Sequence, residues 1–436
     1  MIHAPSVPLP RWPRLAHTDA PLIPALAVVA LLAVPAEPDA ATGSTGATLA
    51  DAASAVLVAH CVLRLLRDRR RPLTRTAAVL LGLPVIGITA AVFGSAGPAT
   101  GLAGAVRHLQ IFVLVPAALL LLLRDRRDAR LVAAAVVALA LAEGAVGVHQ
   151  YVTGTGASYM GQDIRAVGTF GATDVMGMAA VVGYGLVCAL GLALAPRSRG
   201  QRRAALLCAA LLVLPLVLSF SRGAWLATAA ACTAQLLLAG RRISVPALAA
   251  GTAAAVVLVV GLGVGTGLLR ERVASITQVT DAPDRSVTDR YTMWVASIGM
   301  WREAPVTGVG LKGFPAYRDS HASLALSSGG DTAGAGAVFR RQPLLSPHNM
   351  YLLILSEQGL LGLTALLGSW LALLTLGLRR LSRTVRGKDC GLIACGLLIW
   401  QLVDFLYADI GGPSTVLTAI GLGLAAWWAL AGTAAP

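Results

Sequence analysis

Residues 105–150 read AVRHLQIFVLVPAALLLLLRDRRDARLVAAAVVALALAEGAVGVHQ. Two apolar runs, 105–123 and 131–150, flank the cluster Arg124-Asp125-Arg126-Arg127, with Arg130 just beyond it. Each run has about the 20 residues that an α-helix needs to cross the hydrocarbon core of a bilayer. A helix is the default there because a lipid-exposed backbone must satisfy its own hydrogen bonds. Arginines held between two such runs belong at a membrane face, and a surplus of them marks the cytoplasmic side. The stretch therefore predicts a transmembrane hairpin with its turn in the cytoplasm.

The same alternation extends in both directions. Apolar windows predict twelve spans, at 21–36, 47–66, 76–93, 105–123, 131–150, 171–194, 204–219, 224–239, 245–267, 349–377, 389–407 and 414–432. Basic clusters fall on every second connection: Arg67 to Arg71, Arg124 to Arg127, Arg197 to Arg203, Arg241-Arg242, and Arg379 to Lys388. With Arg11, Arg14, Arg64, Arg75 and Arg130 that side holds 23 of the 35 basic residues, which predicts both termini in the cytoplasm. Residues 1–20 carry four prolines and two arginines and read as a cytoplasmic tail ahead of a retained first helix, without a signal-peptide cleavage site.

Composition agrees with this reading. Of 436 residues, 56% are hydrophobic and 13% charged, and the mean hydropathy is +0.73. A soluble domain carries about twice that share of charge, so soluble, disordered and collagenous classes are excluded. The net charge of +14 would suggest nucleic acid in a soluble protein. Here its distribution over alternate connections makes it a topology signal, and nucleic acid is not expected as a partner. The six cysteines lie in or beside apolar stretches with no Cys-x-x-Cys pair, which predicts neither a structural disulfide nor a thiolate metal site.

The expected domain plan is a tail (1–20), helices one to nine (21–267), a large extracytoplasmic loop (268–348) between helices nine and ten, and helices ten to twelve (349–432). A connection of this length is uncommon unless it is functional or disordered. Ser327 to Gly336 reads as flexible, whereas Thr288 to Trp301 spaces Tyr291, Met293, Trp294, Ile298 and Trp301 as an amphipathic surface helix.

Ionisable groups near membrane spans are costly to place and mark functional candidates. On the outer side these are Arg165 in Arg165-Ala166-Val167-Gly168-Thr169-Phe170-Gly171, Arg222 in Ser219-Phe220-Ser221-Arg222-Gly223, Arg290 in Asp289-Arg290-Tyr291, and His348 in Ser346-Pro347-His348-Asn349-Met350-Tyr351. Ser346 as N-cap with Pro347 in the first turn would set His348 at a helix N-terminus, where the dipole disfavours imidazolium. Ser219 or Ser221 would cap the next helix beside Arg222, and free N–H groups with a guanidinium suit a phosphate. Three arginines and a neutral histidine together suit the chemistry of holding a diphosphate leaving group while a base deprotonates a hydroxyl. The plainer alternatives are solvated loop arginines and a capping histidine, with His321, His108 and His149 open to the same role as His348. Arg107 is a further phosphate candidate. Glu357, about half a turn around the helix from His348 and deeper, is expected to pair with another helix. Glu143, Asp174 and Asp404 are expected to make structural hydrogen bonds.

Ser219-Phe220-Ser221-Arg222-Gly223, Pro305-Val306-Thr307-Gly308-Val309-Gly310 with Phe314, and His348-Asn349-Met350-Tyr351-Leu352 running into Glu357-Gln358-Gly359-Leu360-Leu361-Gly362 resemble, in their order, the O-antigen ligase and O-antigen polymerase superfamily. The resemblance implies an all-α, GT-C-like membrane glycosyltransferase that takes a glycan from an undecaprenyl diphosphate carrier and transfers it, with inversion and without a metal or other cofactor, to an acceptor hydroxyl. The acceptor would be a glycan, lipid or cell-wall component at the outer face of the cytoplasmic membrane. By motif His348 matches the family's base, Arg222 and Arg290 its diphosphate-binding arginines, and Arg165 a further basic position. There the family often has Asn-Pro-Asn after Gly-Thr-Phe, where this chain has Ala172-Thr173-Asp174. No Asp-x-Asp pair occurs in the large loop and no Walker-type phosphate loop in the chain, which agrees with metal and ATP independence. Ligase and polymerase within the superfamily are not separable from the sequence. A secondary transporter is the alternative from another class, favoured by a twelve-span count and opposed by the lack of symmetry between the halves.

Overall fold

The computed structural model describes residues 22–35, 47–68, 73–95, 97–159, 162–195, 198–240, 285–323, 326, 344–384 and 387–431. The span expected at 245–267, the N-terminal tail and the stretch 327–336 lie outside the described residues.

The described chain is mostly helical: α1 (Ile23–Leu31), α2 (Leu49–Asp68), α3 (Arg75–Phe93), α4 (Pro98–Leu109), α5 (Val115–Leu122), α6 (Arg126–Thr153), α7 (Gly177–Leu194), α8 (Arg199–Leu218), α9 (Arg222–Ala239), α10 (Arg285–Glu303), α11 (Phe314–His321), α12 (Met350–Arg383), α13 (Lys388–Asp404) and α14 (Thr415–Leu430). A short antiparallel hairpin, β1 (Ala157–Tyr159) and β2 (Gln162–Arg165), pairs Ala157 with Arg165. Among the described residues, seven helical segments are long and apolar enough to cross a membrane: α2, α3, α4 continued into α5, α6, α7, α8 and α12. The helix α14 is apolar but shorter, at Thr415–Leu430. The chain is thus an all-helical membrane protein in its main plan, with seven such segments among the described residues where the sequence predicts twelve.

The two helical arms expected at 105–150 form, with one local departure. The first arm starts at Pro98, and between α4 and α5 the ladder widens to a π segment, Gln110–Leu114, closed by Val115 N–H donating to Gln110 O. Pro116 follows immediately, and with no N–H of its own it removes a rung from the ordinary ladder. Asp125 caps α6 by accepting from Arg127 and Asp128 N–H. Arg130 makes a two-pronged ion pair with Asp389 at the start of α13, so the arginine cluster ties this turn to a distant helix.

Packing relies on small residues and interhelical hydrogen bonds, as expected where apolar surfaces gain little from leaving lipid. At the crossing of α3 and α12 a methyl group on Gly87 would stand 2.4 Å from Gly362 Cα. Gln235 on α9 donates to Val187 O of α7 and Leu392 O of α13, both at 3.0 Å. Trp400 Nε1 donates to Thr228 Oγ1 at 2.9 Å. Trp370, Trp400, Trp428, Tyr184 and Phe405 form the bulk of the aromatic interior.

The helix α12 is broken at Gly359 (φ 65°, ψ −165°). A broken helix at membrane depth is tolerable only where other protein groups satisfy the freed backbone. The Pro305-Val306-Thr307-Gly308-Val309-Gly310 segment does so on both sides of the break. Val309 and Gly310 N–H donate to Ser356 and Glu357 O, while Leu360 and Leu361 N–H donate to Pro305 and Val306 O. No side chain fits between the two: a methyl group on Gly308 or Gly359 would lie 2.3 Å from the opposing backbone. Both glycines also have positive φ.

Candidate functional site

Among the described residues three non-glycine positions have positive φ: Phe220 (49°), Lys312 (58°) and His348 (48°). Such backbone costs about 1–3 kcal/mol and persists only where its surroundings enforce it, typically at functional sites. Phe220 and His348 lie in two of the motifs singled out above, and Lys312 stands two residues beyond a third.

His348 is held from both flanks. Pro347 O accepts from Trp294 Nε1 of α10 at 3.0 Å. Beyond it Asn349 caps α12, its side chain accepting from Leu352 N–H at 3.1 Å and donating to Leu406 O at 3.1 Å. Met350 N–H donates to Phe405 O and Ala408 O. The expected cap at Ser346 and Pro347 is therefore corrected to Asn349: the left-handed turn at His348 delays the helix, and Ser346 points elsewhere. Its Oγ donates to Asp409 Oδ2 at 2.5 Å.

That carboxylate also faces the imidazole, with His348 Nδ1 3.9 Å from Asp409 Oδ2; the His348 side chain is 45% exposed and that of Asp409 6%. Arg290, one turn before Trp294 on α10, is near enough to act on the same ring. Burial first, and Arg290 with it, hold the His348 pKa below the usual imidazole value, while Asp409 opposes them. Nothing in the sequence singles out Asp409. It lies in the α13–α14 connection, Asp409-Ile410-Gly411-Gly412-Pro413, which has no local signature of chemistry.

Arg222 is the first residue of α9, and Ser221 is its N-cap, accepting from Ala224 N–H at 3.3 Å. The turn before it is fixed by Ser219 Oγ donating to Leu216 O (2.6 Å) and by Trp225 Nε1 donating to the same carbonyl (2.7 Å). Phe220 is buried against Tyr151, Ile164, Val217 and Trp225. This helix start abuts the Asp409 connection: a methyl group on Gly223 would meet Tyr407 Cβ at 2.8 Å.

Arg165 is almost fully buried (9% exposed). Its Nε donates to Ser219 O at 2.9 Å, and its Nη2 meets Met176 Sδ at 2.9 Å. It stands behind the Arg222 turn. The adjoining loop is held by Gln150, whose Oε1 accepts from Val167 and Gly168 N–H, and by Glu143, which accepts from Thr169 N–H and Oγ1. Asp174 accepts from Ser414 N–H (3.0 Å) and Oγ (2.5 Å). Glu357 accepts from Phe314 N–H at the start of α11 (3.2 Å), so it serves the latch around Gly359.

The other histidines are differently engaged. His321 joins α11 to α10 through Glu303 (3.0 Å), and its pKa is raised by the Tyr317 carbonyl and by Glu303. His108 is buried with Nδ1 on Gly104 O at 2.9 Å. His149 is exposed near the end of α6. Arg107, a candidate phosphate ligand, is bound by Asp51, Gln110 and Gly412 O. Among the described residues no group of three His, Cys, Asp or Glu side chains is arranged to hold a metal ion.

The structure thus brings Asp409 and Arg290 to bear on His348, and sets the Arg222 turn, with Arg165 behind it, against the connection that carries Asp409. A search of curated proteins finds no match to this chain. Residues 206–367, from α8 through the first half of α12, match the family model described as O-Antigen ligase. They include Arg222, Arg290 and His348, whereas Arg165 and Asp409 fall outside. Residues 206–367 are thus similar to an O-antigen ligase domain, a match that supports the O-antigen ligase and polymerase superfamily.

Proposed function

We propose that the protein is a GT-C-like glycosyltransferase acting at the outer face of the cytoplasmic membrane, with both termini inside and residues 268–348 forming its outer loop. It moves a glycan from an undecaprenyl diphosphate carrier to an acceptor hydroxyl. The reading is carried by the geometry at His348: a half-exposed imidazole with a carboxylate at 3.9 Å on its Nδ1 side and Arg290 acting on the same ring. Asp409 favours the ring proton on Nδ1, which leaves the Nε2 lone pair for the acceptor. The acceptor oxygen attacks the anomeric carbon as its proton passes to Nε2. The bond from that carbon to the phosphate oxygen breaks, and undecaprenyl diphosphate leaves with the electron pair. Arg222 and Arg290 hold the developing charge, aided by the positive end of the α9 dipole. Arg165 adds positive charge behind that turn and fixes its carbonyl. The carrier bond supplies the driving force, so no nucleotide is required, and the proposed step uses no metal.

The test is turnover by the purified protein with an undecaprenyl diphosphate-linked glycan and a glycan or lipid acceptor. His348→Ala is expected to bind donor and release no undecaprenyl diphosphate, and Arg222→Ala to weaken donor use. Full turnover by His348→Ala would overturn the assignment, and solute uptake that survives this change would favour a transporter. Gene deletion separates the two family activities. Accumulated full-length carrier-linked polymer indicates a ligase, and accumulated single repeats a polymerase of the same superfamily.

A further inference from the structure

The α13–α14 connection, residues 405–414, is held at both ends. Its first half accepts hydrogen bonds from the segment that carries His348, through Asn349 and Met350. Its second half is gripped by two charged residues far away in sequence. Arg107 Nη2 donates to Gly412 O at 3.1 Å, and Asp174 accepts from Ser414 N–H and Oγ. The two grips meet at Gly412, where a methyl group would lie 2.3 Å from Asp174 Oδ2.

Arg107 is itself fixed. Its Nη1 is ion-paired with Asp51 near the N-terminus of α2 and donates to Gln110 Oε1 at 3.1 Å. Gln110 Nε2 in turn donates to Asp51 Oδ1 (3.0 Å) and Ser54 Oγ (2.7 Å). Gln110 opens the π segment, so the widened turn presents Arg107 and Gln110 together to α2. A guanidinium bound by a carboxylate, an amide and a carbonyl has its planar donors oriented and little freedom to follow a mobile ligand. This accounts for Arg107 better than the phosphate role expected of it.

We propose that Arg107 and Asp174 are positioning residues: they clamp the far end of the 405–414 connection and thereby hold Asp409 behind His348. The inference rests on the glycosyltransferase reading given above. Asp409 is three residues from the Arg107 contact and five from the Asp174 contact. Release of the clamp lets Asp409 leave the imidazole while the donor arginines on α9 and α10 stay in place.

The experiment is steady-state turnover of the full-length protein with the carrier-linked donor across pH, for Arg107→Met, Asp174→Ala and Asp174→Asn, alone and combined with Asp409→Asn. Arg107→Met and Asp174→Ala are each expected to lower kcat at least tenfold with donor KM within about twofold. The acid limb of kcat/KM should shift to lower pH, as it does for Asp409→Asn. Asp174→Asn keeps an acceptor for Ser414 and should retain most turnover. In the Asp409→Asn background the clamp changes should cost little more, because they act through the residue already removed. Wild-type kcat in Arg107→Met, or losses that multiply with Asp409→Asn, would overturn the clamp. Should Arg107→Met fail to fold, the contrast between Asp174→Ala and Asp174→Asn decides alone, and equal activities would overturn it. Full turnover by His348→Ala, measured alongside, would overturn the underlying reaction instead, so the two failures are told apart.

Discussion

The pair of charges on His348 makes opposed pH shifts the most discriminating test of its role as a base. At 3.9 Å from Asp409 Oδ2, an imidazolium would gain about 4 kcal/mol at an effective dielectric of 20 and about 1 kcal/mol at that of water. With His348 45% and Asp409 6% exposed the pair lies between these limits, and the lower alone, about 1 kcal/mol, corresponds to about 0.8 of a pH unit. Asp409 stabilises the protonated ring, whereas burial and Arg290 destabilise it. A base works when neutral, so kcat/KM must fall as pH drops through the His348 pKa, below the usual imidazole value. Asp409→Asn removes the raising charge and should carry this limb lower, by at least about 0.8 of a unit. Arg290→Gln removes a lowering charge and should carry it higher, in addition to weakening donor use. The assay is release of undecaprenyl diphosphate at subsaturating donor over the acid-to-neutral range, at low and high salt. High salt should shrink the Asp409→Asn displacement only in part, because that carboxylate is buried. Displacement of both limbs in the same direction, or a wild-type profile with no acid limb, would refute the base assignment.

Other expectations follow from the frame around the site. Gly359→Ala places a methyl group 2.3 Å from Val306 backbone atoms; its backbone (φ 65°, ψ −165°), a conformation nearly confined to glycine, alone costs a substituted residue about 1–3 kcal/mol, and the midpoint of thermal denaturation in detergent should fall accordingly, with an unchanged midpoint counting against the latch. Arg130→Met leaves Asp389, 2% exposed, as an uncompensated buried charge worth about 3–5 kcal/mol, and adding Asp389→Leu should recover much of that stability in the same assay. Trp294→Phe deletes the donor to Pro347 O; a loss of about 1 kcal/mol should appear as a severalfold lower kcat with donor KM unchanged. Chelation by EDTA should leave turnover at its starting value, and inhibition reversed by a divalent cation would contradict the metal-free step.

Much of the helical plan is legible in the sequence because it depends on local composition. The runs on either side of Arg124 to Arg127 become α4–α5 and α6, and Ser221 caps α9 beside Arg222 as its position predicts. The start of the first arm is not. Pro98 to Gly104 is rich in small residues and reads as a connection, yet it is helical where Gly104 packs on Leu311 and Lys312. The π segment is equally hidden, since Gln110 and Arg107 turn toward Asp51 on another helix. The same division runs through the site. His348, Arg222 and Arg290 stand out by motif, while Asp409 depends on an approach across 61 residues of chain that no spacing encodes.

Motif residues here divide by what they touch. Pro305 to Gly310 and Glu357 to Gly362 bond to one another around the break in α12, and Glu357 serves the start of α11. They fix the path that leaves α10 and returns to α12. That path bears on chemistry because α10 carries Arg290, and the segment ahead of α12 carries His348. Trp294 joins α10 to Pro347 close to the ring, and the latch joins the two elements again farther along. Two attachments on the same pair of elements remove the hinge that either alone would allow. A guanidinium and an imidazole carried on elements joined twice keep a fixed separation. That is what the proposed diphosphate ligand and the proposed base need if one donor is to lie between them in a fixed pose. The left-handed turn at His348 fits the same account. A residue one position farther into α12 would have its ring set by the helix, whereas the turn sets it toward Asp409, and the bonds on Pro347, Asn349 and Met350 offset the strain.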